Sequence, residues 1–197
     1  MSSSARGQSE RREYFRITDD VTLRARKIEN EDDMEMLRGR LCDAIPDQFM
    51  LAASFISQSA DMQRLLHNMP AKSHDLTAYL ARLDNKLNRL AQHMVLDSMH
   101  VEERPLEAVN LSAGGVAFHG EAGFSIDDML EMRMVLYPDL VGILAIARVV
   151  GCEPETTGGF QIAVEFSEMR ERDRDLLVKH AIHRDTMLRR KEREAEG

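Results

Sequence analysis

The sequence has few cysteines and no long apolar run, and these two shortages exclude several classes of protein. Its 197 residues contain only Cys42 and Cys152, which lie far apart among unlike neighbours. This arrangement argues against a disulfide framework or a thiolate metal site and favours a reducing cytoplasm. No stretch approaches the ~18 apolar residues of a membrane-spanning helix, and the N-terminus lacks the apolar core of a signal peptide. We therefore predict a cytoplasmic protein with no membrane insertion.

Sequence signatures of enzymes are absent as well. The chain contains no Gly-x-Ser-x-Gly, no Gly-x-x-x-x-Gly-Lys, no His-Glu-x-x-His and no Cys-x-x-Cys. The pairs His180/His183 and His93/His100 have helical spacing, but neither comes with a carboxylate or thiolate at ligand spacing. These absences predict a binding protein rather than an enzyme, with neither a metal site nor a cofactor.

The charge is unevenly distributed along the chain. The net charge is −8, yet residues 1–28 hold seven Lys/Arg against four Asp/Glu. An acidic protein is a poor candidate for binding DNA or RNA polymers, because phosphate contacts supply most of that affinity. The basic N-terminal arm could attract a small anion locally, or it could simply be solvated.

Hydrophobic periodicity divides the chain into three regions. Residues 21–28 alternate broadly between apolar and polar, as a half-buried strand does. Residues 31–69 have helical spacings, with Pro46 interrupting them or starting a second helix at Asp47. We predict an N-terminal arm and first strand over 1–29, a helical insert over 30–105, and the remainder of the fold over 106–197.

The clearest pattern is a heptad repeat after Pro70. Spacings of 4, 3, 4, 3 and 4 separate its members, which are Leu76, Leu80, Leu83, Leu87, Leu90 and Met94. Such a strict 3.5-residue period favours a coiled coil between chains over an amphipathic helix packed on its own chain. The e positions are mostly small or uncharged, which favours more than two strands, and we predict a homotetramer; these positions are Thr77, Asp84, Ala91 and Ser98.

After Pro105 the chain returns to short β-like segments separated by turns. The predicted strands are 106–111, 115–119, 129–136, 141–150 and 159–166, followed by a helix from Arg170 onward. With the strand at 21–28 this makes six strands, enough for a small antiparallel barrel. We therefore predict an α+β fold in which a long helical insert interrupts the barrel.

Two short segments flank the predicted barrel strands. Arg11-Arg12-Glu-Tyr-Phe-Arg16 precedes the first strand, and Asn110-Leu-Ser112-Ala-Gly-Gly115 lies between two later strands. Each is weak alone, but together they match Arg-x-x-x-Arg and Asp/Asn-x-Ser-x-x-Gly, the two signatures of the PilZ domain. The sequence also resembles this family in residues 146–150, 162–166 and 174–177. It resembles in particular a subgroup with long helical inserts that assembles as tetramers.

This resemblance implies binding of cyclic di-GMP, a second messenger with two guanines and two phosphates. The expected ligand-binding residues are Arg12, Arg16, Asn110, Ser112 and Gly115, with Arg11 adding charge. Guanidinium groups match a guanine edge or a phosphate bidentately, and short polar side chains can complete the contacts. A receptor of this kind would pass its signal to an effector protein. The alternative is an oligomeric scaffold whose nucleotide pocket is vestigial.

Overall fold

The computed structural model describes residues 15–45, 47–68, 74–100, 106–156 and 158–195. Its strands form a closed antiparallel barrel with the spatial order β1-β2-β3-β6-β5-β4. The strands are β1 (Ile17–Lys27), β2 (Glu107–Ser112), β3 (Gly115–Gly120), β4 (Met129–Leu136), β5 (Val141–Pro154) and β6 (Phe160–Met169). The helices are α1 (Glu31–Leu41), α2 (Gln48–His67), α3 (His74–Met99) and α4 (Glu171–Ala195).

The barrel interior forms the first hydrophobic core. Alternate residues of each strand point inward, so apolar side chains such as Val21, Leu111 and Ile162 are almost completely buried. Helix α4 contributes Leu177 and Ala181 to the same core. This helix therefore belongs to the barrel, although its exposed face is strongly polar.

The insert of α1, α2 and α3 packs on the outside of the barrel and forms a second core there. Phe49 of α2 and Val95 of α3 are fully buried with Val135 of β4 and Leu144 of β5. The carboxylate of Asp47 accepts a hydrogen bond from the Met50 N–H (3.0 Å) and caps α2. The expectation of a second helix starting at Asp47 is therefore confirmed.

Three strands extend well beyond their predicted limits, and one of them, β6, ends at Met169 rather than at residue 166. β1 begins at Ile17 rather than at Val21, because its inward-facing residue Asp19 is polar and hides the alternation. β5 continues to Pro154, with irregular register on β6 near residues 146–147 and 149–151. A bulge shifts the inward face by one position, so the period of two used to find strands is broken within β5.

Candidate functional site

Strand pairing brings the two signature segments together. In the antiparallel register of β1 and β2, Ile17 lies opposite Leu111 and Thr18 opposite Asn110. Continued by one residue, this register places Arg16 beside Ser112. The side chains of Arg16, one residue before β1, and Asn110, on β2, are both exposed. Arg11 and Arg12 lie outside the described residues.

Ser112 and Gly115 close the turn between β2 and β3. Ser112 is buried; its hydroxyl donates to the Gly115 carbonyl (3.2 Å) and accepts from the Gly114 N–H (3.3 Å). A Cβ on Gly115 would collide with the carbonyl oxygen of Val164 on β6, and φ at Gly115 is not positive. Glycine at position 115 is therefore explained by the close approach of a neighbouring strand and not by a positive φ. Both residues shape the turn that carries Asn110.

Helix α4 fixes the same turn from the other side. Nη1 of Arg174 donates to the Ala113 carbonyl at 2.7 Å. The buried N–H of Phe166 adds a hydrogen bond to the Gly114 carbonyl at 2.8 Å. Side chain and backbone thus hold the turn at two successive carbonyls, which leaves little freedom to the Asn110–Gly115 segment.

The same helix also holds the start of β1. Asp19 is buried, and its carboxylate contacts Nε2 of His180 at 2.5 Å and the guanidinium of Arg184. Burial alone would raise the pKa of Asp19, but the hydrogen bonds and charges of His180 and Arg184 outweigh it and lower the pKa. Because Asp19 lies three residues after Arg16, this cluster anchors the backbone from which the N-terminal arm leaves.

A row of small side chains, one of which is Asn110, crosses five strands of the barrel. Successive registers align Thr18 on β1, Asn110 on β2, Ala117 on β3, Ala163 on β6 and Gly151 on β5. We call these five residues the small-residue row. None carries a bulky side chain, so the row forms a shallow path along which a flat ring system could lie against the barrel.

Charged residues border the small-residue row on one side. Gly115 pairs with Glu165, and Glu165 pairs with Arg148, whose Nη2 lies 3.0 Å from Glu165 Oε2.

Sequence reasoning missed the small-residue row, although Ala117 and Ala163 each stand between two large apolar residues. That alternation was readable, but only the register reveals that the small residues are neighbours.

The insert leaves this surface open within the single chain. Because the insert follows β1 directly in the sequence, it could in principle cover the surface that carries Asn110. Its buried residues instead contact the outer surface of β4 and β5 through Val135, Leu144 and Ile146. Asn110 stays exposed, and Ala117 and Ala163 stay partly exposed.

Most of the predicted heptad seam on α3 is exposed. The exposed fractions are 52 % for Leu76, 43 % for Leu83, 44 % for Leu87 and 62 % for Leu90, whereas Leu80 and Met94 are partly buried. Leucines at this exposure leave an apolar stripe in contact with water, an arrangement typical of an interaction surface.

The e positions of α3 differ from their predicted role. Ala91 is buried in the core shared with the barrel, and Asp84 accepts a hydrogen bond from Ser59 of α2 (2.8 Å). Asn88 donates to the same Ser59 hydroxyl. The chain's own α2 and barrel therefore cover this flank, which the sequence pattern had assigned to further helices of a bundle. The argument for strand number from the e positions is wrong at Asp84 and Ala91.

The described residues contain neither a metal-binding cluster nor a membrane-spanning helix. Among them, no group of three or more His, Cys, Asp or Glu is placed to hold a metal ion. No helix in this part of the chain has the length and apolar character required to cross a bilayer.

Comparison with known proteins finds a family model and a solved structure that are similar to this chain. A family model described as the PilZ domain matches residues 89–182, from within α3 to within α4. A solved structure of a pathogenic protein from Xanthomonas campestris, described as a tetrameric PilZ domain self-assembled via a helical bundle, is similar with a TM-score of 0.54. The identity is 13 %, covering 90 % of this chain and 92 % of that chain, so this likeness concerns the fold alone. No curated protein shows significant similarity. The predicted family resemblance and fold class are both confirmed.

Proposed function

We propose that this chain, which carries a PilZ domain, is a cyclic di-GMP receptor that self-assembles through its insert and signals to a protein partner. The observation that supports the proposal is the β1–β2 register, in which Asn110 of the small-residue row lies opposite Thr18, two residues after Arg16. Cyclic di-GMP needs both features, because its guanines are flat and its phosphates and guanine edges take guanidinium forks. We expect Arg12 and Arg11 to add further contacts.

Assembly through the insert is the second part of the proposal. The exposed leucines of α3 need a partner, and a second copy of the same stripe is an apolar occupant of matching length. The Xanthomonas campestris structure is described as tetrameric through a helical bundle, which supports a homotetramer here. In this division of labour, 30–105 is the assembly insert, 1–29 and 106–197 form the ligand-binding barrel, and the protein acts in the cytoplasm on an effector.

Isothermal titration calorimetry with cyclic di-GMP tests the receptor function. We expect Arg16→Ala to weaken binding roughly 10- to 100-fold, on the order of 1–3 kcal/mol, and Arg16→Lys to recover only part of it. Arg82→Ala, an exposed arginine on α3, is the matched control and should bind as the wild type does.

The rival function is an oligomeric scaffold with a vestigial pocket. It keeps the exposed seam of α3 as the functional surface and makes no use of Arg16 or Asn110. Wild-type protein that gives no heat and no thermal shift with excess cyclic di-GMP would favour the scaffold and reject the receptor.

A further inference from the structure

A second positively charged surface lies outside the proposed cyclic di-GMP site, where α1 meets the outer face of β1 and β4. A cavity of about 290 Å³ opens there. We call it the arginine cleft, and its lining residues are Arg24, Arg26, Arg40, Glu131 and Arg133. All five lining residues within the described part of the chain are charged.

Positive charge exceeds negative charge in the arginine cleft. Glu131 accepts from Arg26 (2.8 Å) and from Arg133 (2.7 Å) and lies 3.9 Å from Nη1 of Arg40, so one carboxylate serves three guanidinium groups. Asp47, at the back of the cleft, accepts from Arg133 at 2.9 Å. Four arginines therefore surround two carboxylates.

Two of the four arginines are left with incomplete partners. Nε of Arg40 is buried, lies 3.6 Å from Asp47 Oδ2 and makes no hydrogen bond within the described chain. Arg24 has no ion pair with any described residue and stands directly opposite Arg133 in the β1–β4 register. Like charges directly opposite each other destabilise an antiparallel pair. Glu131 and Asp47 compensate the charge of Arg133, so the uncompensated charge of this pair is that of Arg24.

We propose that the arginine cleft binds the phosphoryl group of a small anionic molecule, at a site separate from the small-residue row. A phosphate dianion would neutralise the surplus of two positive charges and so reduce the repulsion between Arg24 and Arg133. Its oxygens could also accept a hydrogen bond from Nε of Arg40, which has no acceptor among the described residues. Guanidinium forks suit phosphate oxygens because they donate in pairs, and the partly buried setting strengthens each charge-assisted bond. Arg133 is well positioned for this role, since its guanidinium is held over the ring of Phe49 (5.4 Å).

The test compares thermal unfolding in inorganic phosphate, in pyrophosphate and in sodium chloride of equal ionic strength. We expect pyrophosphate to raise the Tm of the wild type by roughly 3–6 °C at about ten times its Kd, with a smaller rise in phosphate. Arg24→Gln should abolish the rise, and without phosphate its Tm should equal or exceed that of the wild type, because a like-charge pair is removed. Arg82→Gln is the charge-matched control and should respond as the wild type does.

A further control must show that the anion does not bind to the arginines of the proposed cyclic di-GMP site. Arg16→Ala should keep the full pyrophosphate response if the anion sits in the arginine cleft. Equal responses of the wild type and Arg24→Gln would overturn the proposal, because general salt effects act on both proteins alike. Loss of the response in Arg16→Ala alone would also overturn it, by assigning the anion to the cyclic di-GMP site.

Discussion

The barrel and the insert complete their hydrophobic cores in different ways. The barrel encloses its interior with its own strands and with Leu177 and Ala181 of α4. The insert buries one face against β4 and β5, and on its other face it exposes the leucines of α3. A self-contained core suits a domain that presents a fixed ligand surface. A half-covered helical layer favours a partner, so the proposed function assigns assembly and ligand recognition to different parts of one chain.

The largest effect should come from breaking the open face of the insert. Leu83→Asp with Leu90→Asp places carboxylates on the apolar stripe, so the chains should separate while each barrel stays folded. Sedimentation equilibrium should give about four times 22.4 kDa for the wild type and a smaller mass for the variant. Asn85→Asp, on the same helix outside the seam, should keep the wild-type mass.

This variant should still bind cyclic di-GMP, because the seam and the small-residue row lie on different elements. Simultaneous loss of assembly and binding would mean that neighbouring chains share the pocket. A wild type that sediments as a monomer at micromolar concentration would refute the coiled coil, and a dimer would refute only the strand number.

Helix α2 has one phenylalanine on the covered face of the insert and another on its open face. Phe49 is fully buried against the barrel, whereas Phe55, six residues later, is 44 % exposed. In the dissociated seam variant, Phe49→Ala should lower the free energy of unfolding by about 3–5 kcal/mol, because it leaves a cavity between the two regions. Phe55→Ala should cost less than about 1 kcal/mol in the same urea titration. Equal losses of unfolding free energy in Phe49→Ala and Phe55→Ala would mean that packing against the barrel does not stabilise the insert.

The link between α4 and β1 should appear in the pH dependence of stability. Asp19 has a lowered pKa in the folded chain against about 3.9 when unfolded, so its stabilisation is present above pH 4 and is lost as pH falls through the folded pKa. We expect Asp19→Asn to cost on the order of 1–3 kcal/mol at neutral pH. The difference from wild type should shrink below about pH 4 in urea titrations.

The neighbouring residue supplies the control for this pH dependence. Asp20 is exposed, so Asp20→Asn should stay within about 0.5 kcal/mol of the wild type. A difference between wild type and Asp19→Asn that stays constant from pH 7 to pH 3 would contradict the role given to the Asp19 carboxylate.

The smallest effect concerns the small-residue row. Ala163→Leu puts a bulky side chain in the middle of the row and should weaken cyclic di-GMP binding about tenfold, ~1.4 kcal/mol, without changing the mass of the assembly. Ala122→Leu, in the exposed loop after β3, should leave the affinity unchanged. Unchanged affinity in Ala163→Leu would place the ligand away from the row.

Local sequence patterns were sufficient to predict much of the fold. The heptad leucines located α3, Asp47 after Pro46 located the start of α2, and alternating residues located most strands. Polar residues at inward positions were the exception, because Asp19 is explained only by His180 and Arg184, more than 150 residues away. No local pattern contains that pairing.

The candidate site was predicted only in part, because some of its residues also come together through pairings that no local pattern contains. The signature residues Arg16 and Asn110 were found from sequence, but the small-residue row depends on the registers of β2, β3, β5 and β6. The arginine cleft joins β1, α1 and β4, so its members are spread from Arg24 to Arg133 in the chain. Distant residues meet only through tertiary structure, and a single sequence gives no signal for such meetings.

The separation of β1 from its partners also has a consequence for the order of events during synthesis. Val21 pairs with Glu107 on one side, and Lys27 pairs with Leu130 of β4 on the other. A nascent chain therefore completes all three insert helices before either neighbour of β1 has been made. Helices need only local contacts, whereas closure of the barrel waits for pairings about a hundred residues apart. The leucine stripe of α3 thus becomes available to other nascent chains of one polysome before the barrel surface that we propose to bind the ligand exists.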